Sequence, residues 1–225
     1  MKIGVFGDSF ADRFAGNSWW DELKRFGHNV TSFGEGGSSL AFSAGLLWNH
    51  ANEFDYLIWC VTSVNRVSFY HDDRAYHVTN AFDSLRQRTT VANLQNISQS
   101  YLQNVFHPHG HEVLGNLAVQ GALKKFPNLL IIPCFATPVY FMEPPGFNLF
   151  ELSTLEAQSY FPGQDLYTIF HNWQDIRACH FTCETNYYLA TEISQAIDQG
   201  TKIFTSDYSN FSQPTQSLSE AFSPI

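Results

Sequence analysis

Short, nearly unbroken apolar runs recur along the chain, and stretches of mixed polarity separate them. Four have strand length: residues 2–6, 29–33, 56–62 and 129–135. Each is a near-continuous apolar run or ends on an apolar residue, which predicts strands covered on both faces. Helical spacing marks 18–26, with Asn17 and Ser18 as capping residues and Gly27 as the stop. It also marks 38–50, 91–105, 113–125 and 184–199, the last opened by Thr182 and closed by Gly200. Strand–helix alternation predicts an α/β fold with a mainly parallel sheet between two helical layers.

Two regions exceed that minimal repeat. Residues 66–111 are long, polar and rich in His, and residues 138–177 carry Pro144-Pro145-Gly146 and Pro162-Gly163. Both follow the carboxyl ends of predicted strands, where open α/β sheets place their ligands. The division expected is one α/β domain over 1–200 with these two insertions, then a C-terminal extended arm over 201–225. That arm keeps Ile203, Phe204, Tyr208, Phe211, Leu218 and Phe222, which suits packing on the body or on a second subunit.

Composition narrows the classes. Hydrophobic residues make up 44% of the 225 positions and charged ones 15%, so a sizeable core is expected and disorder is not. A net charge of −9 argues against nucleic-acid binding. No apolar stretch reaches the roughly 20 residues of a membrane span, and the opening run breaks at Asp8, too early for a secretory leader. A cytoplasmic location without membrane association is the expectation. Cys60, Cys134, Cys179 and Cys183 then read as reduced thiols.

The motifs that carry chemistry sit where the predicted strands end. No phosphate-binding G-x-x-x-x-G-K-[ST], no G-x-S-x-G elbow and no H-E-x-x-H occurs. Instead, Gly7-Asp8-Ser9-Phe10 follows the first strand and Phe33-Gly34-Glu35-Gly36-Gly37-Ser38 the second. Val61-Thr62-Ser63-Val64-Asn65-Arg66 follows the third, and Ala178-Cys179-His180-Phe181-Thr182 precedes the last helix. In a parallel sheet such ends share one edge, so a hydroxyl, backbone N–H donors, an amide and an imidazole can meet there. Asp8 reads as a turn residue accepting backbone N–H groups.

In these blocks the chain resembles the SGNH (GDSL-type) hydrolases, over about residues 2–197. The resemblance implies a flavodoxin-like three-layer α/β/α sandwich and serine ester hydrolysis. By it, Ser9 matches the nucleophile and His180 the general base. Gly37 and Asn65 match the oxyanion-hole residues, with Thr62 and Ser63 as neighbouring donors. A hydroxyl is a weak nucleophile until a base takes its proton, and each oxyanion donor is worth about 2.7–4 kcal/mol in the transition state.

The chain also departs from the family pattern. Arg177 stands where an Asp three residues before the base is usual, and Arg66 where an Asp follows the Asn. Asp175 or a backbone carbonyl can hold the imidazole instead, or the protein is a degenerate member that binds without catalysis. No metal or organic cofactor is expected, and the substrate expected is a small-molecule or carbohydrate ester, including O-acetyl esters. A homo-oligomer formed through the C-terminal arm is the one protein partnership considered. The remaining alternative is a metal-dependent hydrolase using His107, His109 and His111, with ligands such as His71, His77, Asp72, Asp73 or His171.

Overall fold

The computed structural model describes residues 1–12, 18–64, 66–71, 74–79, 100–101, 104–105, 107–134 and 183–204. Four strands, β1 (Lys2–Phe6), β2 (Asn29–Ser32), β3 (Tyr56–Val61) and β6 (Leu129–Pro133), form one parallel sheet in the order β2-β1-β3-β6. Each matches an apolar run in the sequence to within two residues. A separate antiparallel hairpin joins β4 (Arg66–His71) to β5 (Arg74–Thr79). The helices are α1 (Trp19–Arg25), α2 (Leu40–His50), α3 (Pro108–Lys125) and α4 (Cys183–Asp198).

Because side chains alternate across a strand, the sheet feeds two cores. Ile3, Val5, Ile58, Cys60, Leu130 and Ile132 point to one face and pack with Trp19, Trp20 and Leu23 of α1 and with Leu189, Ala190 and Ile193 of α4. Phe6, Leu57, Trp59, Val61, Leu129 and Ile131 point to the other and pack with Leu40 and Leu47 of α2 and Val119 and Ala122 of α3. The fold is therefore mixed α/β, with a parallel sheet flanked by helices. Two of the three buried indoles are satisfied, Trp19 Nε1 by Phe10 O at 2.9 Å and Trp59 Nε1 by Ser43 Oγ at 3.0 Å, whereas Trp20 Nε1 has no hydrogen-bond partner among the described residues.

Polar residues set the helix starts. Asp21 accepts from Ser18 N–H and Oγ at the head of α1, and Ser39 Oγ accepts Phe42 N–H at the head of α2. The helix expected from residue 113 begins earlier, at Pro108, because His107 caps it by accepting Gly110 N–H at 3.2 Å and proline suits a first helical turn. Where a polar insertion was expected at 66–111, the chain forms the β4–β5 hairpin. Past α4, Ile131 N–H donates to Lys202 O and Phe204 N–H to Ile131 O, both at 2.8 Å, so residues 202–204 run beside β6. The rest of the C-terminal arm and the expected insertion at 138–177 lie outside the described residues.

Among the described residues no helix is long and apolar enough to cross a membrane. Ile58 sits fully buried on the central strand. Ile58→Ala is expected to cost about 2–5 kcal/mol, read as a lowered urea midpoint with an unchanged slope.

Candidate active site

The parallel sheet ends all its strands in one direction, and three of the four motif blocks meet at that edge, the fourth lying outside the described residues. Gly7 makes the turn out of β1 with φ +153°, and a Cβ there would lie 2.6 Å from Cys60 Cβ. Only glycine passes so close to β3. Glu35 N–H donates to Gly7 O at 3.3 Å and Ser38 Oγ to the same oxygen at 3.1 Å. The block after β2 is thereby tied to the block after β1. Gly37 lies in that second block with φ +80°, a conformation that favours glycine.

Asp8 joins the first block to the third. Its carboxylate is completely buried. Oδ1 accepts Phe10 N–H at 3.2 Å, capping a single 3-10 turn over Ser9–Ala11. Oδ2 accepts Thr62 Oγ1 at 2.8 Å and pairs with the Arg66 guanidinium, itself 7% exposed. Asp8 thus acts as the turn acceptor its sequence position suggested, and also as one half of a buried ion pair that the sequence did not disclose. Arg66, which departs from the family pattern, is its counter-charge. Thr62, a neighbouring donor candidate, is engaged with Asp8.

Ser9 follows Asp8 in the 3-10 turn. Its Oγ is buried and has no hydrogen-bond partner among the described residues. A buried hydroxyl left unpaired costs about 1–3 kcal/mol, so native proteins rarely leave one without a reason. His180, Asn65 and Asp175, like Arg177, lie outside the described residues. Of the expected site residues, Ser9 and Gly37 are therefore brought to one edge of the sheet, and the others are not described.

A second polar group borders the same edge. Ser68 on β4 and His77 on β5 face each other, Oγ to Nδ1, at 2.8 Å. His77 Nε2 lies 3.4 Å from Glu35 Oε1. Burial pushes the His77 imidazole below its ordinary value, with Arg66 adding to that effect and Glu35 opposing it. The signal that could have exposed this pair was the alternation in Arg66–His71 and Arg74–Thr79 about Asp72-Asp73.

The other His-rich stretch is split among separate partners. His107 caps α3, His109 Nδ1 lies 3.5 Å from Glu112 Oε2, and His111 Nε2 is 3.1 Å from Tyr101 Oη. Among the described residues no three His, Cys, Asp or Glu side chains converge as a metal site. Cys60 and Cys134 are free and buried, and burial pushes the Cys134 thiol well above its ordinary value. Such a thiol behaves as a small hydrophobe rather than a nucleophile.

No protein-family model matches the chain, and no curated protein matches it. Among solved structures it is similar to a "putative lipolytic protein of G-D-S-L family" from Desulfitobacterium hafniense DCB-2. The TM-score is 0.39 and the identity 15%, over 87% of this chain and 98% of that one. The likeness is loose in both sequence and shape.

Arg66→Met leaves the Asp8 carboxylate buried without its counter-charge, and is expected to cost about 3–5 kcal/mol. The double change Asp8→Asn with Arg66→Met should recover much of that loss in urea titrations, because neither charge is then orphaned. For His77 the sign follows from its lowered value. The unfolded chain takes up its proton first, near the ordinary 6.5, so stability falls as the pH drops from there through the lower folded value. His77→Gln should flatten that part of the curve when unfolding free energies are compared between pH 7.5 and 5.

Proposed function

We propose that the protein is a serine ester hydrolase of the SGNH type, acting on a small acyl or O-acetyl ester, including esters of carbohydrates. The observation that carries this is Ser9 Oγ: a buried hydroxyl with no hydrogen-bond partner among the described residues, just past the carboxyl end of the inner parallel strand β1. Asp8 beside it is fully committed to Phe10, Thr62 and Arg66, so the turn that presents Ser9 is held rigidly. Rigid presentation is what nucleophilic catalysis asks of its scaffold.

In this reading Ser9 Oγ attacks the acyl carbon while His180 takes the hydroxyl proton. The carbonyl oxygen becomes an oxyanion, which accepts hydrogen bonds from the Ser9 and Gly37 backbone N–H groups and the Asn65 amide. The C–O bond to the alcohol breaks, and the alcohol leaves with the proton from His180. Water, deprotonated by the same imidazole, then releases the acid from Ser9. Asp175 is the group proposed to orient His180. Gly37 supports the role given to it because its positive φ frees the N–H from regular strand or helix geometry.

A fluorophosphonate probe should label the full-length protein once, and mass mapping should place the adduct on Ser9. Ser9→Ala should remove both labelling and turnover of a short-chain p-nitrophenyl ester while leaving the thermal unfolding midpoint within a few degrees. An unlabelled wild-type protein with no ester turnover would reject the proposal in favour of a binding protein that keeps the fold without the chemistry.

A further inference from the structure

The loop that carries Gly37 is bracketed by two residues held from the hairpin. At one end, Ser39 N–H donates to Ser68 Oγ at 3.1 Å, and the Ser39 and Ser68 hydroxyls are 2.8 Å apart. At the other end, Glu35 Oε1 lies 3.4 Å from His77 Nε2. Ser68 and His77 are themselves joined at 2.8 Å across the β4–β5 hairpin, where they stand in direct register. The Phe42 ring of α2 meets the imidazole edge-on at 4.8 Å between centroids. One imidazole–hydroxyl pair therefore reaches both ends of the 35–39 loop.

Chemistry fixes where the protons sit. His77 Nε2 is buried with no hydrogen-bond partner among the described residues, and the Glu35 carboxylate 3.4 Å away favours a proton on it by charge alone. A neutral His77 then carries its proton on Nε2 and leaves Nδ1 as an acceptor. Ser68 must give its only hydroxyl proton to Nδ1. Its oxygen accepts Ser39 N–H, and the Ser39 hydroxyl, whose own oxygen accepts Phe42 N–H, stands 2.8 Å away. Engaged with Ser39 and with Nδ1 at once, Ser68 is poorly suited to attack a carbonyl. It suits a relay that transmits the imidazole's position to Ser39.

We propose that His77 is a positioning residue that, through Glu35 and Ser68, holds the Gly37 backbone N–H in place. The kinetic consequence rests on the ester-hydrolase reading; the structural one does not. Protonation reverses the relay at one end. Nδ1 becomes a donor to Ser68 Oγ, and the Ser68 hydroxyl proton goes to Ser39 Oγ alone. At the other end Glu35 is drawn toward the imidazolium. Among the described residues the charged groups acting on His77 are Glu35 from the loop and Arg66 from β4, while α2 offers the uncharged Phe42 ring.

The test is a pH titration of the full-length, isotope-labelled wild-type protein by NMR. At pH 7.5 the His77 ring should show the Nε2–H tautomer, and on acidification the Gly37 amide should shift with the same midpoint as the ring, below 6.5. Glu35→Gln keeps an acceptor but removes the charge, so both midpoints should move to lower pH together. A Gly37 amide that ignores the His77 titration overturns the proposal, as does a fluorophosphonate adduct on Ser68. For the reaction, His77→Ala should lower kcat about 10- to 100-fold with KM unchanged, and His77→Asn, which restores an acceptor toward Ser68, should recover part of it. A Gly37 amide that follows His77 in a protein whose Ser9 takes no label would uphold the positioning role and reject the hydrolase reading alone.

Discussion

The buried Asp8–Arg66 pair is the constraint on which the arrangement of the site depends. A carboxylate without solvent access is costly unless charge and hydrogen bonds surround it. Here one oxygen takes a backbone N–H of its own turn and the other takes Thr62 and Arg66. Those three partners come from the segment after β1, from the end of β3 and from the first residue of β4. The pair therefore fixes the turn that presents Ser9 and, at the same time, the point from which the hairpin departs.

From Arg66 the constraint closes on itself. The hairpin launched there carries Ser68 and His77, which hold Ser39 and face Glu35. Glu35 in turn donates its N–H to Gly7, the residue before Asp8. Three segments that are far apart in sequence thus form a ring of polar contacts around one edge of the sheet. Below that edge the strands are packed by apolar side chains on both faces. Such a core tolerates little displacement, so the ring stands on a stiff base.

What the sequence disclosed follows the same physics. Strands buried on both faces announce themselves as continuous apolar runs, which is why β1, β3 and β6 are legible, whereas the edge strand β2, with only Val30 buried, is marked by its β-branched residues and its place between two helical stretches. The position of Ser9 at the end of β1 was legible for the same reason. The role of Asp8 was half legible. Its turn bond is local, whereas its pairing with a residue 58 positions away depends on how β1 and β3 align. The hairpin was missed because half-buried strands alternate polar with apolar residues, and in a His-rich stretch that alternation reads as a loop. From the sequence His77 reads as a candidate metal ligand, whereas its neighbours in the fold are a hydroxyl, a carboxylate and a phenyl ring. For His180 and Asn65 the motif resemblance remains the sole support, and for Asp175 its place five residues before His180.

The Asp8 contacts also narrow the question of what supports the base. In a serine hydrolase the imidazole needs a partner on its far nitrogen to fix its tautomer. Asp8 is the nearest acid to Ser9 in sequence, but both its oxygens are occupied and it is completely buried. Taking it away from Arg66 to serve an imidazole would strand a guanidinium in the interior. Glu35, also at this edge, already faces His77. On the hydrolase reading proposed above, neither of these two acids is available to a base acting on Ser9, which is why Asp175 is the group proposed to orient it.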